Sequence, residues 1–206
     1  MKKIFISLGL LFLSITGFSQ CTPDFIFTSI GFPGVYPPAI QIPNLPLPLG
    51  IADGSLGSNY NQTLTLVVLE DTTMDIEFLL PAAAVTAMNV AGIPTVYTLD
   101  VNHVTFDVQG LPNGINYQCD ISNCVYPSSI DGCIQLNGAP TVAGTFSVPV
   151  NMTINIQIPA ITDPVFGTVI FPATALDMPA FAVQTYDLFI SDETAVHENH
   201  NTFQIF

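Results

Sequence analysis

Apolar and polar positions alternate with period two over most of this chain, and turn residues interrupt the alternation at short intervals, the mark of half-buried strands. Val104, Phe106 and Val108 alternate into Gly110-Leu111-Pro112-Asn113-Gly114, and Ile115, Tyr117 and Cys119 alternate out of it. Pro112 presets a turn φ, Asn113 tolerates the bridge or left-handed region and Gly114 accepts a positive φ, so the stretch predicts a sharp reversal between two strands. Ile134 and Leu136 then lead into Gly138-Ala139-Pro140-Thr141 and Ala143-Gly144-Thr145, after which Phe146, Val148 and Val150 resume the pattern. The same reading predicts strands over residues 60–69, 97–108, 145–158, 165–171 and 182–191, with a loop holding Pro172, Asp177 and Pro179 before the last. No internal repeat is visible. The expected class is all-β, an antiparallel β-sandwich.

Two stretches depart from alternation. Residues 79–91 predict a short helix, because Ala82, Ala83, Ala84, Ala87 and Met88 are good helix formers following Pro81 at a first-turn position. Residues 32–50 carry Pro33, Pro37, Pro38, Pro43, Pro46 and Pro48 between Val35, Tyr36, Ile40, Ile42, Leu45 and Leu47. So many missing N–H donors exclude a helix or a central strand, and the apolar residues call for burial. The segment is expected to be a strap covering a sheet edge rather than a proline-rich ligand for another protein.

The motifs Gly110-Leu111-Pro112-x-Gly114-Ile115, Leu136-x-Gly138-x-Pro140-Thr141 and Ala143-Gly144-Thr145-Phe146 resemble the Ig-like domains of secreted Bacteroidetes surface proteins. Ala139 stands where those domains usually have Thr, and residues 119–133 are inserted where their hairpin is tight. The resemblance implies an Ig-like module over 21–191, its core within 59–190, with a long Pro-rich N-terminal segment and at most one short helix. It is silent on activity, since its motifs are turn residues. Cys21-Thr22-Pro23-Asp24 and Asp71-Thr72-Thr73 extend the likeness to secreted proteins that end in a type IX secretion sorting domain. Asp71-Thr72-Thr73 also resembles an O-glycosylation pattern centred on Thr72. Residues 192–206 turn polar and then recover alternation in Asn201-Thr202-Phe203-Gln204-Ile205-Phe206, which resembles the entry to such a domain. They are therefore expected to be a linker and the start of a further domain, with Phe203 and Ile205 poorly packed.

Composition changes the picture on location and partners. Lys2 and Lys3, the apolar run from Ile4 to Ile15 and a small-polar ending at Gln20 read as a secretory signal peptide, residues 1–20, too short for a membrane span. Gln20 is not the small residue that lipidation of Cys21 requires, so ordinary cleavage is expected. Cleavage there removes both cations of the protein, leaves its 16 carboxylates and takes the formal charge from −14 to −16. An average chain this long carries on the order of 20 Lys and Arg. With none, the secreted chain cannot grip phosphate or neutralise nucleic acid, and anionic lipid repels it. Nucleic acid and membrane insertion are excluded as partners; an unknown protein or glycan at the cell surface is the expected one.

Cys21, Cys119, Cys124 and Cys133 in a secreted chain predict two disulfides rather than a metal site. If Ile115 and Tyr117 face the core, so does Cys119, while Ile134 and Leu136 facing the core turn Cys133 outward, which disfavours Cys119–Cys133. The expected pairs are Cys124–Cys133 and Cys21–Cys119. Glu70, Asp71, Asp75 and Glu77 lie within eight residues and are the candidate calcium ligands, although no EF-hand loop accompanies them and a solvated turn is the plainer reading. No other cofactor is indicated. His103 reads as an exposed strand residue, and His197-Glu198-Asn199-His200 as a polar tail. No nucleophile elbow, zinc-protease helix, P-loop or dinucleotide motif is present, since Gly54-Ser55-Leu56-Gly57 has the wrong order. A carboxylate-pair hydrolase has Asp and Glu to draw on but no pair singled out and no Trp for a sugar platform. The expected function is therefore a structural or adhesive one without catalysis, the alternatives being a calcium- or glycan-binding module and a hydrolase.

Overall fold

The computed structural model describes residues 21–41 and 46–192. The signal segment, Ile42, Pro43 and Leu45 of the strap, the 197–200 cluster, Phe203 and Ile205 lie outside the described residues.

Thirteen strands are described: β1 (Gly34–Tyr36), β2 (Gly54–Ser55), β3 (Tyr60–Val67), β4 (Asp71–Asp75), β5 (Val96–Val108), β6 (Ile115–Cys119), β7 (Val125–Pro127), β8 (Gly132–Gly138), β9 (Gly144–Ile158), β10 (Ile161–Thr162), β11 (Val169–Phe171), β12 (Thr174–Asp177) and β13 (Phe181–Ser191). One sheet has the order β1-β3-β8-β6. The other has the order β2-β13-β9-β5-β4, with β12 beside β9 and β7 beside β5. Alternating residues from both sheets meet in one core: Leu64, Leu66, Ile134 and Leu136 from the first, Val104, Phe106, Val148, Val150, Tyr186 and Leu188 from the second. This is an all-β sandwich, as the alternation predicts. Its pairs are antiparallel except β2 with β13, where Gly54 and Ser55 run parallel to Ile190 and Ser191.

The long β5 keeps its apolar residues inward across a change of phase. Leu99 and Val101 are buried, then Val104, Phe106 and Val108, and the register against β9 slips between Val101 and His103. Asn102 is the extra residue of a bulge that returns the face to the core. His103 sits beside it, half-buried, opposite Pro127 and Asn155.

The proline-rich strap closes one flank. Val35 is buried in the core, Pro37 and Pro38 are buried, and Tyr36–Pro37 is a cis peptide. Tyr186 Oη donates to Pro37 O at 2.8 Å and Gly50 N to Pro38 O at 2.8 Å, so the chain is held as it passes from β1, at the edge of one sheet, to β2, at the edge of the other. The core thus reaches back beyond residue 59. On the opposite flank β7 crosses from the cysteine loop to pair with β5.

Several expectations need correction. Among the described residues there are two α-helices, not one: α2 (Ala82–Ala91), which the alanines predict, and α1 (Phe25–Thr28). Asp24 starts α1 by accepting from Ile26 N, an N-cap signal that goes unread when Pro23 and Asp24 are taken only as a lead-in. The disulfides are Cys21–Cys133 and Cys119–Cys124, so both expected pairings are wrong. Cys119 lies opposite Ile134 and is not bonded to Cys133, as the register predicts. Cys133 does leave the core side, but the N-terminal segment lies over that outer face, bringing Cys21 to it. Asp24 N donates to Thr65 Oγ1, and Phe27 stacks on Tyr36 at 5.3 Å beside Val67 in a small second core. Thr65 and Cys133, opposite each other in register, are consequently almost fully buried.

The polar stretch from Glu70 is a strand, β4, rather than a turn, and the loop before the last strand contains β12. The strand expected over 165–171 shortens to β11, because Val165 and Phe166 belong to the turn before it.

Candidate interaction surface

Three connections leave the sandwich at one pole. β3 ends beside the start of β8, with Leu66 opposite Gly132, and Val68 N donates to Asp131 Oδ1 at 3.0 Å. Glu70 O accepts from both Val101 N and Ser128 Oγ, drawing the β3–β5 and β6–β8 connections together. The start of β5 lies beside the end of β9, with Asp100 opposite Gln157.

The β6–β8 connection is the cysteine loop. Cys119–Cys124 ties its first turn, and Tyr126 plugs its base, edge-on to Phe106 at 5.8 Å. The Tyr126 hydroxyl donates to Asp120 Oδ1 at 2.7 Å, with Cys133 O the alternative acceptor at 2.9 Å, and Asp120 Oδ1 also accepts from Cys133 N. Burial, with the Asp120 carboxylate beside it, pushes the Tyr126 hydroxyl well above its ordinary pKa. A Cβ on Gly132 would lie 2.0 Å from the Tyr126 ring, so this glycine makes room for the plug.

The other two connections are long and structured. Between β3 and β5 the chain forms β4, a 3-10 turn (Glu77–Leu79) and α2, which ends on Gly92 at φ 69°. Between β9 and β13 it forms the β10–β11 hairpin and β12. Helix α2 packs against β11. Ile76, Leu80, Ala84 and Met88 from the first insertion join Leu99, Ile156, Ile158 and Ile161 in the same core as the sandwich. Both insertions are therefore extensions of the folded body.

After that burial the pole still presents large apolar side chains to water. Phe78 is 65% exposed, Val165 and Phe166 are each 79% exposed. They are held by built turns. Asp75 Oδ1 accepts from Glu77 N at 2.9 Å, starting the turn that carries Phe78. Asp163 Oδ1 accepts from Val165 N at 2.7 Å and Phe166 N at 3.0 Å, while Gly167 N donates to Asp163 O. Met74, Asp75, Glu77 and Phe78 line an open hollow of about 570 Å³.

The four candidate calcium ligands are not gathered. Asp71 and Asp75 stand at the two ends of β4, four strand residues and so about 13 Å apart. Ile76 is buried between Asp75 and Glu77, and Asp75 is engaged with the Glu77 amide. Among the described residues one set of three potential ligand atoms converges, that of Cys21, Asp120 and Cys133, but both sulfurs are in a disulfide and offer no thiolate. Thr72 lies opposite Leu99 on the half-buried face of β4, whereas Thr73 is exposed and hydrogen-bonded to Thr98. Asp71 does face another carboxylate, Asp100, directly across the strands, yet both are exposed on an open sheet face. The residues that matter at this pole, Phe78, Asp163, Val165 and Phe166, are missed by reasoning from alternation. The available signal is Asp163-Pro164 followed by Gly167, the composition of a tight turn.

Compared with known protein families, with curated proteins and with solved structures, the chain matches none.

Proposed function

We propose that this protein is an extracellular module of Ig-like topology that works by surface contact, in a structural or adhesive role, and carries out no chemistry of its own. The observation that carries this reading is the strand order. Written in Ig letters, β1, β3, β8 and β6 are A, B, E and D, while β5, β9 and β13 are C, F and G; β2, parallel to β13, takes the place of an A′ strand. The glycine motifs of the resemblance fall at the C–D and E–F turns. Two disulfides suit an oxidising compartment, and among the described residues no helix is long and apolar enough to cross a membrane. Export by the 1–20 signal and sorting by a type IX system belong to the same reading.

The test compares modes of contact. Beads bearing the secreted chain are passed over a panel of purified cell-surface proteins, and the same protein is titrated with calcium and applied to a glycan array. The reading predicts retention on protein, no glycan signal and no calcium isotherm tighter than millimolar. A micromolar calcium isotherm abolished by Asp75→Asn, or a glycan signal without protein retention, contradicts it.

A further inference from the structure

The B–C and F–G insertions meet at one pole, and their shared core leaves six large apolar side chains outside it: Phe78, Val90, Val96, Val165, Phe166 and Val169, all more than half exposed. Isolated exposed apolar residues are ordinary, but Val165 and Phe166 are adjacent on one turn and Phe78 lines a hollow of the insertion that packs against β11, so this pole offers apolar surface for contact. Its two most prominent knobs, Val165 and Phe166, sit on a turn fixed by Asp163, so little ordering remains to be done when they are buried.

Charge decides what covers the surface. Asp75 and Glu77 flank the Phe78 hollow, Asp163 underlies the Val165–Phe166 tip, and no Lys or Arg occurs anywhere from residue 21 to 206. A second copy would set carboxylates against carboxylates with no cation from residues 21–206 on either side, where the formal charge is −16 each, and anionic lipid meets the same repulsion. We propose that this pole docks a different protein, one presenting an apolar stripe flanked by Lys or Arg. Its apolar side chains cover the Phe78 hollow and the Val165–Phe166 tip, and its cations face Asp75, Glu77 and Asp163. The inference rests on the contact function proposed above and assigns that function a surface and a partner chemistry.

The experiment uses the secreted chain and a synthetic amphipathic helix with a leucine stripe flanked by lysines, followed by fluorescence anisotropy. Two control peptides replace the lysines by glutamates or the leucines by serines. The lysine–leucine helix is expected to bind, with each control and the Val165→Ser/Phe166→Ser variant weaker by about tenfold or more, the loss expected for removal of anchor side chains. Asp75→Asn/Glu77→Gln should weaken binding and reduce its salt dependence. Phe189→Ser, an exposed residue near the opposite pole, should leave it unchanged. These positions are exposed, and an unchanged thermal midpoint shows that each variant folds. Equal binding by the serine control or by Val165→Ser/Phe166→Ser overturns the proposal. So does self-association in sedimentation equilibrium, or partition into zwitterionic vesicles, that the same variant abolishes. Beads that adhere to surface proteins equally well with Val165→Ser/Phe166→Ser would sink this surface while leaving the contact function standing.

Discussion

Gly114 and Gly138 show how single residues hold the pole opposite the insertions. Gly114 has φ +94°, and a Cβ there would lie 2.0 Å from Ala139 O; a Cβ on Gly138 would lie 2.0 Å from Gly114 O. The two glycines let the β5–β6 and β8–β9 turns pack backbone on backbone, and Thr141 N donates to Asn113 O across them. Gly114→Val therefore combines a left-handed backbone with a main-chain clash, and is expected to cost roughly 1–3 kcal/mol or more in chemical denaturation; an unchanged midpoint would contradict the close approach. Turn residues of this kind are legible because their backbone chemistry is local. Gly132 was not, because its need comes from the Tyr126 ring, brought to it by folding.

The tyrosines set the alkaline limit. Burial raises the hydroxyl pKa of Tyr36, Tyr117, Tyr126 and Tyr186, and burial with nearby Asp53 pushes Tyr60 up to about 12. A folded pKa above the unfolded one means that the native state holds protons the unfolded chain has released, so this stability is intact below about pH 10 and is lost as pH rises through the folded values. With no Lys or Arg after residue 20 and all four cysteines in disulfides, tyrosine is the side chain that titrates there. Unfolding free energy measured across pH 8 to 12 should be flat at first and then fall from about pH 10; a rise over that interval would contradict the burial of these hydroxyls.

At the scale of elements, the two disulfides differ in what they constrain. Cys21–Cys133 closes a separation of 112 residues, and Cys119–Cys124 one of 5. On chain entropy alone the first is worth about 4–5 kcal/mol and the second about 2. Cys21→Ala/Cys133→Ala should thus destabilise markedly more than Cys119→Ala/Cys124→Ala in denaturant titrations, and should also loosen α1 from the outer face of β3 and β8. The reverse order would contradict the pinned N-terminal segment. Alternation showed which side of a strand faces the core, and so correctly separated Cys119 from Cys133. It could not show that a segment without alternation, residues 21–30, lies over the outer face. The same limit explains β4: Asp71, Thr73 and Asp75 read as a charged turn because one exposed strand face carries most of their polarity.

For the whole molecule, charge and class were readable early, because composition needs no geometry and period two needs only local backbone. Which strand neighbours which was not, since alternation assigns faces and not partners. The pole was hidden for that reason: Phe78 and Phe166 are 88 residues apart in number, and only the placement of the β3–β5 and β9–β13 connections brings their insertions to one end. A corollary of the missing cations is that trypsin should leave residues 21–206 uncut even in denaturant, whereas a cut after Lys2 or Lys3 would show that the signal segment is retained.

The most direct test of the account maps contact on the folded protein: backbone amide shifts recorded by NMR while the lysine–leucine helix is titrated. The account predicts that the largest changes fall in Asp75–Leu79, at Val96 and in Asp163–Val169, with the Gly110–Gly114 and Gly138–Gly144 turns silent. Changes concentrated at those turns, or spread evenly over the acidic surface, would contradict it.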